Sequence, residues 1–135
     1  MPVARTYLPL SLDQLESLVQ RAEIAGGAIG VAVGPGGGED AEYAAWRAAA
    51  DLAAELVAED EGAASRRVLA SADVDIARLE PPAGATPTAV TVSGVVPLRR
   101  IVSFHVDEAI GSGVDDLLWF DVTELDEVQR LATGN

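Results

Sequence analysis

The stretch AVTVSGVVPLRRIVSFHV, residues 89–106, organises the predicted fold. Ala89–Gly94 and Arg100–Val106 both alternate β-branched or aromatic residues with polar ones, which is typical of strands. Pro97 lies between them and interrupts regular strand pairing, because proline has no backbone N–H to donate. We therefore predict that the two segments pair as a hairpin with one apolar face and one mixed face.

The other elements follow from apolar periodicity and from turn and capping residues. Ser11 and Gln14 have the spacing of a capping box that starts the first helix, with Gly26-Gly27 as its stop. Thr123 and Asp126 resemble a weaker box before the last helix. The predicted elements are strands at Val3–Leu8, Ala28–Val33 and Arg66–Val74, a long helix at Glu39–Glu61, breaks at Gly62–Ser65 and Ile110–Gly113, and a terminal helix over Leu125–Leu131 that ends before Gly134. Leu117–Val122 is either a last strand or a helical turn, and we favour the strand.

The order of these elements is β-α-β-α-β-β-β-β-α. The second half lacks the crossover helices of a doubly wound fold, so the order predicts an α+β protein. We expect a two-layer sandwich, in which a mixed sheet carries helices mainly on one face. A chain of 135 residues with 49% hydrophobic residues is long enough to bury a core, and we expect residues 1–135 to form a single domain.

The composition excludes several classes of function. Twenty-two acids stand against nine arginines and no lysine, for a net charge of −13, so we expect no nucleic-acid partner. The acids serve solubility or attract a basic partner or a cation. Cysteine is absent, which excludes disulfides and thiolate metal ligands, and no apolar run is long enough to span a membrane. We expect a cytoplasmic protein without a membrane segment or a cofactor.

A glycine-rich segment, Gly34–Gly38, lies between a strand and a helix, where phosphate-binding loops occur. It lacks the full nucleotide-binding spacing and the lysine of a P-loop. Glu39 and Asp40 also occupy the helix start that an anion would need. We interpret the segment as a connection.

The single histidine, His105, is the main candidate for a chemical site. With Asp107 and Glu108 it offers an imidazole and two carboxylates, which suit several divalent metals. Such a site would need distant acids, and the candidates are Asp115, Asp116 and Asp121. The alternative is a histidine at a strand end, hydrogen-bonded to a carboxylate or a carbonyl.

Ser103, His105 and Asp107 also supply the residue types of a nucleophile, a base and an orienting acid. Residues two apart on a strand stand roughly 7 Å apart, which disfavours direct hydrogen bonds between them. Asp73 and Asp75 share a strand face in the same way, and two carboxylates alone do not make a cation site. We therefore predict no catalytic residues.

Two apolar groups are candidates for an interaction surface. Leu117, Leu118, Trp119 and Phe120 cannot all face one side of a strand, so either a homodimer forms through this segment or a helix buries it. Tyr43 and Trp46 lie on one stripe of the long helix. That stripe either packs in the core or forms an aromatic binding surface.

The order of several motifs resembles a known protein family. The resemblance rests on the motifs Tyr7-Leu8-Pro9, Glu42-Tyr43-Ala44-Ala45, Arg67–Val74, Val102–Glu108 and Leu117–Asp121. The chain is similar over nearly its whole length to an uncharacterised family of small acidic single-domain proteins from high-GC bacteria. The resemblance implies one intact bacterial domain and no particular activity, ligand or partner.

These observations predict a non-enzymatic interaction or regulatory module. Its partner is either another protein or a second copy of the chain in a homodimer. The alternative is a metal-dependent binder or an enzyme centred on His105.

Overall fold

The computed structural model describes residues 2–59, 66–109 and 117–133. Seven strands form one sheet in the order β5-β6-β3-β1-β4-β8-β9, and β2 pairs separately with β7. The strands are β1 (Val3–Pro9), β2 (Glu23–Ile24), β3 (Ile29–Val33), β4 (Val68–Asp75), β5 (Leu79–Glu80), β6 (Thr88–Val92), β7 (Val96–Pro97), β8 (Ile101–Asp107) and β9 (Leu117–Asp121), and the helices are α1 (Leu12–Arg21), α2 (Gly38–Glu59) and α3 (Leu125–Thr133).

Strand β1 lies at the centre of the sheet, between β3 and β4. Tyr7 faces Val31 on one side and Ser71 on the other. A central strand is covered on both faces, which explains why β1 is buried along most of its length. The predicted first strand and the buried second strand are both confirmed.

The predicted hairpin is wrong. β6 pairs with β3 and β5, whereas β8 pairs with β4 and β9, so three strands separate the two segments. The chain between them does not turn back, because Val96 and Pro97 pair with β2 beside α1. Strand-like alternation identified both segments correctly but carries no information about which strands become neighbours.

A β-bulge also changes the predicted phase of β8. Ser71 faces Ser103, but the next pair joins Ala72 to Ile101, which leaves Val102 as the extra residue. Ile101 therefore joins the core with Phe104, whereas Val102 is exposed. Strict alternation would instead place Val102 with Phe104 on the apolar face and Ile101 on the mixed face.

The capping box of Ser11 and Gln14 is confirmed at the start of α1. The helix ends earlier than predicted, because Ala22 adopts the left-handed conformation with φ 57° and its N–H bonds to Leu18. At the other end of the chain the box joins Asp121 and Glu124, not Thr123 and Asp126.

The two faces of the large sheet carry different helices. On one face α1 and α3 bury Leu15, Leu18 and Val128 against the sheet. On the other face α2 packs over β1, β3 and β4 through alanines that allow close approach, with Ala45 and Ala49 fully buried.

The α+β class and the order of the principal elements are confirmed. The structure refines the arrangement, since every described strand pair is antiparallel and helices lie on both faces instead of mainly on one. The short strands β2, β5 and β7 are additions that the sequence did not indicate. No helix among the described residues combines the length and apolar character needed to cross a membrane.

Candidate functional site

An open groove of about 410 Å³ lies beside α2, on the sheet face that this helix shares. Helix α2 covers the middle of the sheet, and the groove extends from it toward β8 and β9. The groove has two walls: the helix contributes Glu39, Glu42, Tyr43 and Trp46, and the sheet contributes Arg5, Tyr7, Ser71, Val102, Ser103, His105 and Trp119.

His105 reaches two serine hydroxyls on the floor of the groove. Its Nε2 lies 3.1 Å from Ser71 Oγ on β4 and 3.2 Å from Ser103 Oγ on β8. Ser71 and Ser103 are directly opposite each other in the sheet, so the imidazole reaches both from a position two residues along. The predicted separation of Ser103 and His105 is therefore wrong, because the imidazole side chain is long enough to span the backbone spacing between them.

The imidazole of His105 is neutral near physiological pH. Burial lowers its pKa from 6.5 to about 4, because the charged form is poorly solvated beneath the groove wall. Trp46 packs edge-on against it, with ring centroids 6.1 Å apart. A neutral imidazole has one ring nitrogen that accepts and one that donates, and the Nε2 contacts with the two hydroxyls fit either tautomer.

The predicted companions of His105 are engaged elsewhere. Asp107 is 2% exposed and binds the Arg67 guanidinium, with Oδ1 2.7 Å from Nη2 and Oδ2 3.0 Å from Nε. It also accepts a 2.7 Å hydrogen bond from the Arg67 backbone N–H. Glu108 is exposed at the strand end. Asp107 therefore joins the ends of β4 and β8 through Arg67.

The distant acids are separated as well. Asp115 and Asp116 lie outside the described residues. The Asp121 carboxylate accepts from the backbone N–H and the hydroxyl of Thr123, and the hydroxyl contact is the main reason that its pKa is lowered. Within the described ranges, no three histidine, aspartate or glutamate side chains are arranged to hold a metal ion.

The arginine that lines the groove has an ion-pair partner, whereas the glutamates of the helix wall have none in the described part of the chain. Arg5 donates a 3.0 Å hydrogen bond to Asp73, so its charge is already paired. Asp75 similarly lies 3.6 Å from Arg100, and the two aspartates of β4 serve as partners for arginines. Glu39 and Glu42 line the helix wall with no ion pair recorded among the described residues.

The pKa of Tyr7 reflects burial and the negative charge of the helix wall. This pKa is raised, first by burial and next by the negative charge of Glu42. Four further groove residues were not predicted as such from the sequence: Arg5, Tyr7, Ser71 and Glu42. Only the pairing of β1 with β4 and the position of α2 bring them together, so no local pattern in the sequence marks them.

The aromatic stripe of α2 forms part of the groove. Tyr43 is 49% exposed, and its ring centroid lies 5.7 Å from that of the half-buried Trp46. The Arg47 guanidinium stands 5.8 Å from the Tyr43 ring centroid, which is a cation–π distance. The indole N–H of Trp46 is buried and has no hydrogen-bond acceptor among the described residues.

The four residues Leu117–Phe120 alternate along β9. Trp119 faces the groove opposite His105 and is 62% exposed. Leu118 and Phe120 pair with Val106 and Phe104, on the face of α1 and α3. The segment is therefore neither fully buried by α3 nor fully exposed, and the predicted homodimer through it stays a prediction.

Strand β9 is the last strand of the sheet among the described residues. The Asp107 N–H donates to the Arg67 carbonyl, on the β4 side of β8. Backbone N–H and C=O groups of successive strand residues point to opposite sides, so those of Phe104 and Val106 point toward β9. Their partners Phe120 and Leu118 then bond to β8. It follows that Trp119 directs its N–H and C=O away from the sheet.

The glycine segment Gly34–Gly38 packs against the loop of residues 81–87 between β5 and β6, which contains three prolines. The Gly34 N–H donates to the Gly84 carbonyl at 2.7 Å, and a Cβ at Gly34 would lie only 2.8 Å from the Ala83 carbonyl oxygen. Glu39 and Asp40 occupy the first turn of α2. These contacts agree with a connection, and the glycine at position 34 is explained by close packing.

Comparison with known proteins gives one match. No curated protein and no solved structure is similar enough to match the chain. The model of the family described as "Family of unknown function (DUF6912)" matches residues 4–128. The resemblance to an uncharacterised family is thus confirmed, and the chain belongs to DUF6912, a family of unknown function.

Proposed function

We propose that this protein is a non-enzymatic interaction module that binds an extended segment of a partner protein. The partner lies in the groove beside α2 and along the outer edge of β9, the last strand of the sheet in the described part of the chain. The observation that carries the proposal is Trp119, which is 62% exposed on the last strand of the sheet and lines the groove. Exposed tryptophans are rare on surfaces without a partner and common at the centres of interfaces.

The backbone of β9 supports strand addition. An edge strand with outward N–H and C=O groups is a template for a further strand, unless charges, proline or a bulge block it. Leu117–Asp121 contains no proline, and its one charged residue, Asp121, stands at its end. Extended peptides bind such edges through main-chain hydrogen bonds, while neighbouring pockets select their side chains.

A second copy of the chain is the other candidate partner. Two copies would each bring a net charge of −13 to the interface, and like charges oppose association. We therefore favour a different protein as the occupant. Self-association remains a separate outcome that sedimentation would detect.

Catalysis at His105 is the second candidate function, and the contacts with Ser71 and Ser103 favour it. A base with a pKa of about 4 removes protons from a hydroxyl weakly near neutral pH. The nearby Asp107 is engaged by Arg67. A metal role for His105, Asp107 and Glu108 is tested by calorimetric titration with zinc or manganese, where the absence of heat would remove it.

Site-specific photo-cross-linking in the native cell tests the interaction proposal. A benzophenone amino acid replaces Trp119 in one variant and Val19, an exposed residue of α1, in the control. We expect a discrete adduct from position 119 that position 19 does not give. No adduct at 119, or the same adducts at both positions, would contradict the proposal, and peptide mass spectrometry distinguishes another protein from a second copy.

A further inference from the structure

We propose that the groove binds a cationic side chain, an arginine or a lysine, of the extended partner segment. This inference rests on the proposed function and adds the chemistry of the partner. It joins three observations at one place: an exposed aromatic surface, carboxylates without ion pairs, and a floor that carries no positive charge at neutral pH.

The aromatic surface comes from both walls. Trp119 on β9 and Trp46 and Tyr43 on α2 line the same groove. Aromatic faces attract ammonium and guanidinium groups, and tryptophan does so most strongly. Tyr43 already has the guanidinium of Arg47 5.8 Å from its centroid, so one ring of this wall holds a cation within the chain itself.

The carboxylates of Glu39 and Glu42 make the helix wall of the groove negatively charged. Glu39 and Glu42 line the helix wall without an ion pair among the residues described, while Arg5 on the opposite side is paired with Asp73. Glu42 acts on Tyr7 strongly enough to contribute to its raised pKa. A cation that enters between the two walls therefore meets unpaired negative charge and aromatic faces together.

The floor does not oppose a cation. His105 is a neutral imidazole, and the buried hydroxyls of Ser71 and Ser103 that contact it carry no charge. The net charge of −13 adds a long-range attraction for basic segments. An anionic side chain would meet Glu39 and Glu42 instead, so the same groove discriminates against acidic partners.

A matched pair of peptides tests the inference. Both are five-residue extended peptides with blocked ends, one with a central arginine and the other with citrulline, which has a similar shape without the charge. The protein has two tryptophans, Trp46 and Trp119, and both line the groove, so tryptophan fluorescence and the two indole N–H signals in NMR spectra report binding there.

We expect the arginine peptide to bind about tenfold more tightly than the citrulline peptide at low salt, and the difference to shrink as salt screens the charges. Glu42→Gln should weaken arginine binding about threefold to tenfold. Glu55→Gln, an exposed glutamate farther along α2, provides the same charge change away from the groove and should leave binding within about twofold.

Three results would overturn the inference. Equal affinity for both peptides would show that the groove does not select a cation, while leaving the interaction proposal intact. Binding of neither peptide at millimolar concentration, or equal loss in Glu42→Gln and Glu55→Gln, would also overturn it. Photo-cross-linking at position 119 reports the interaction proposal independently, so the two failures are distinguishable.

Discussion

The two faces of the sheet differ in how completely they are covered. The face of α1 and α3 is filled by large side chains, with Phe104, Leu8 and Leu15 fully buried. The face of α2 is packed by alanines over the central strands, and toward β9 it opens into the groove. The first face stabilises the fold, and we assign the second face to binding. Our proposal thus assigns binding to the part of the sheet that α2 leaves uncovered.

The largest expected contrast is between one large aromatic residue on each face, the buried Phe104 and the exposed Trp119. Phe104→Ala should lower the free energy of unfolding by about 3–5 kcal/mol, because it leaves a cavity in the closed face. Trp119→Ala should change it by less than about 1 kcal/mol, since the ring is mostly exposed. Urea denaturation of both variants measures the contrast. Equal losses would show that Trp119 is a structural residue.

Asp107 tests whether the predicted metal ligand is structural. Asp107→Ala should lower the free energy of unfolding by about 3 kcal/mol, because it leaves the Arg67 guanidinium without its buried carboxylate. Glu108→Gln is the control and should change stability by less than about 0.5 kcal/mol, as an exposed residue does. A minor effect of Asp107→Ala, measured by the same denaturation, would indicate that the ion pair does little for the fold.

The buried imidazole of His105 predicts a specific pH dependence. Its pKa is lowered from 6.5 to about 4, so the unfolded chain binds a proton that the folded chain excludes between these values. The stability that a neutral His105 contributes is present above pH 6.5 and is lost as pH falls toward 4.

The size of this loss is about 3 kcal/mol, at roughly 1.4 kcal/mol for each pKa unit. Denaturation of the wild type and of His105→Gln is measured at pH 7.5, 5.5 and 4. Because both proteins contain the same carboxylates, the difference between them isolates the contribution of His105 from that of carboxylate titration. The free energy of the wild type should decline relative to the variant. A constant difference between the two proteins would refute the buried neutral histidine.

At Trp46 we expect a small change in stability together with a loss of binding. Trp46→Phe removes the buried indole N–H that has no acceptor among the described residues, which offsets the smaller ring. The free energy of unfolding should change by less than about 1 kcal/mol, whereas binding of the arginine peptide should weaken about threefold. A large loss of stability with unchanged binding would place Trp46 in the structural face instead.

The sequence predicted the elements better than their neighbours. The capping box at Ser11 and Gln14 and the strand character of residues 101–106 depend on local chemistry, and both are found in the structure. The pairing of β6 with β3 depends on contacts between residues about sixty positions apart. Local alternation cannot specify such contacts, and it cannot locate the bulge at Val102 that shifts the phase of β8.

Individual residues of the candidate site could be predicted from the sequence, but their grouping in one groove could not, because it depends on long-range contacts. His105, Trp119, Tyr43 and Trp46 were singled out because their residue types are unusual in this chain. Their common groove exists only because β9 adds beside β8 and α2 crosses the sheet. Ser71 was overlooked because serine in a strand carries no signal, and its 3.1 Å contact with His105 follows from strand register alone.

Residue-resolved amide hydrogen exchange tests the central claim most directly, that the open edge of β9 receives an extended partner segment. In the free protein the Trp119 amide should exchange much faster than those of Leu118 and Phe120, whose N–H groups face β8. Adding the arginine peptide should slow exchange at Trp119 at least tenfold and leave its neighbours unchanged. A Trp119 amide that is already protected in the free protein, or one that stays unprotected with the peptide bound, would contradict the account.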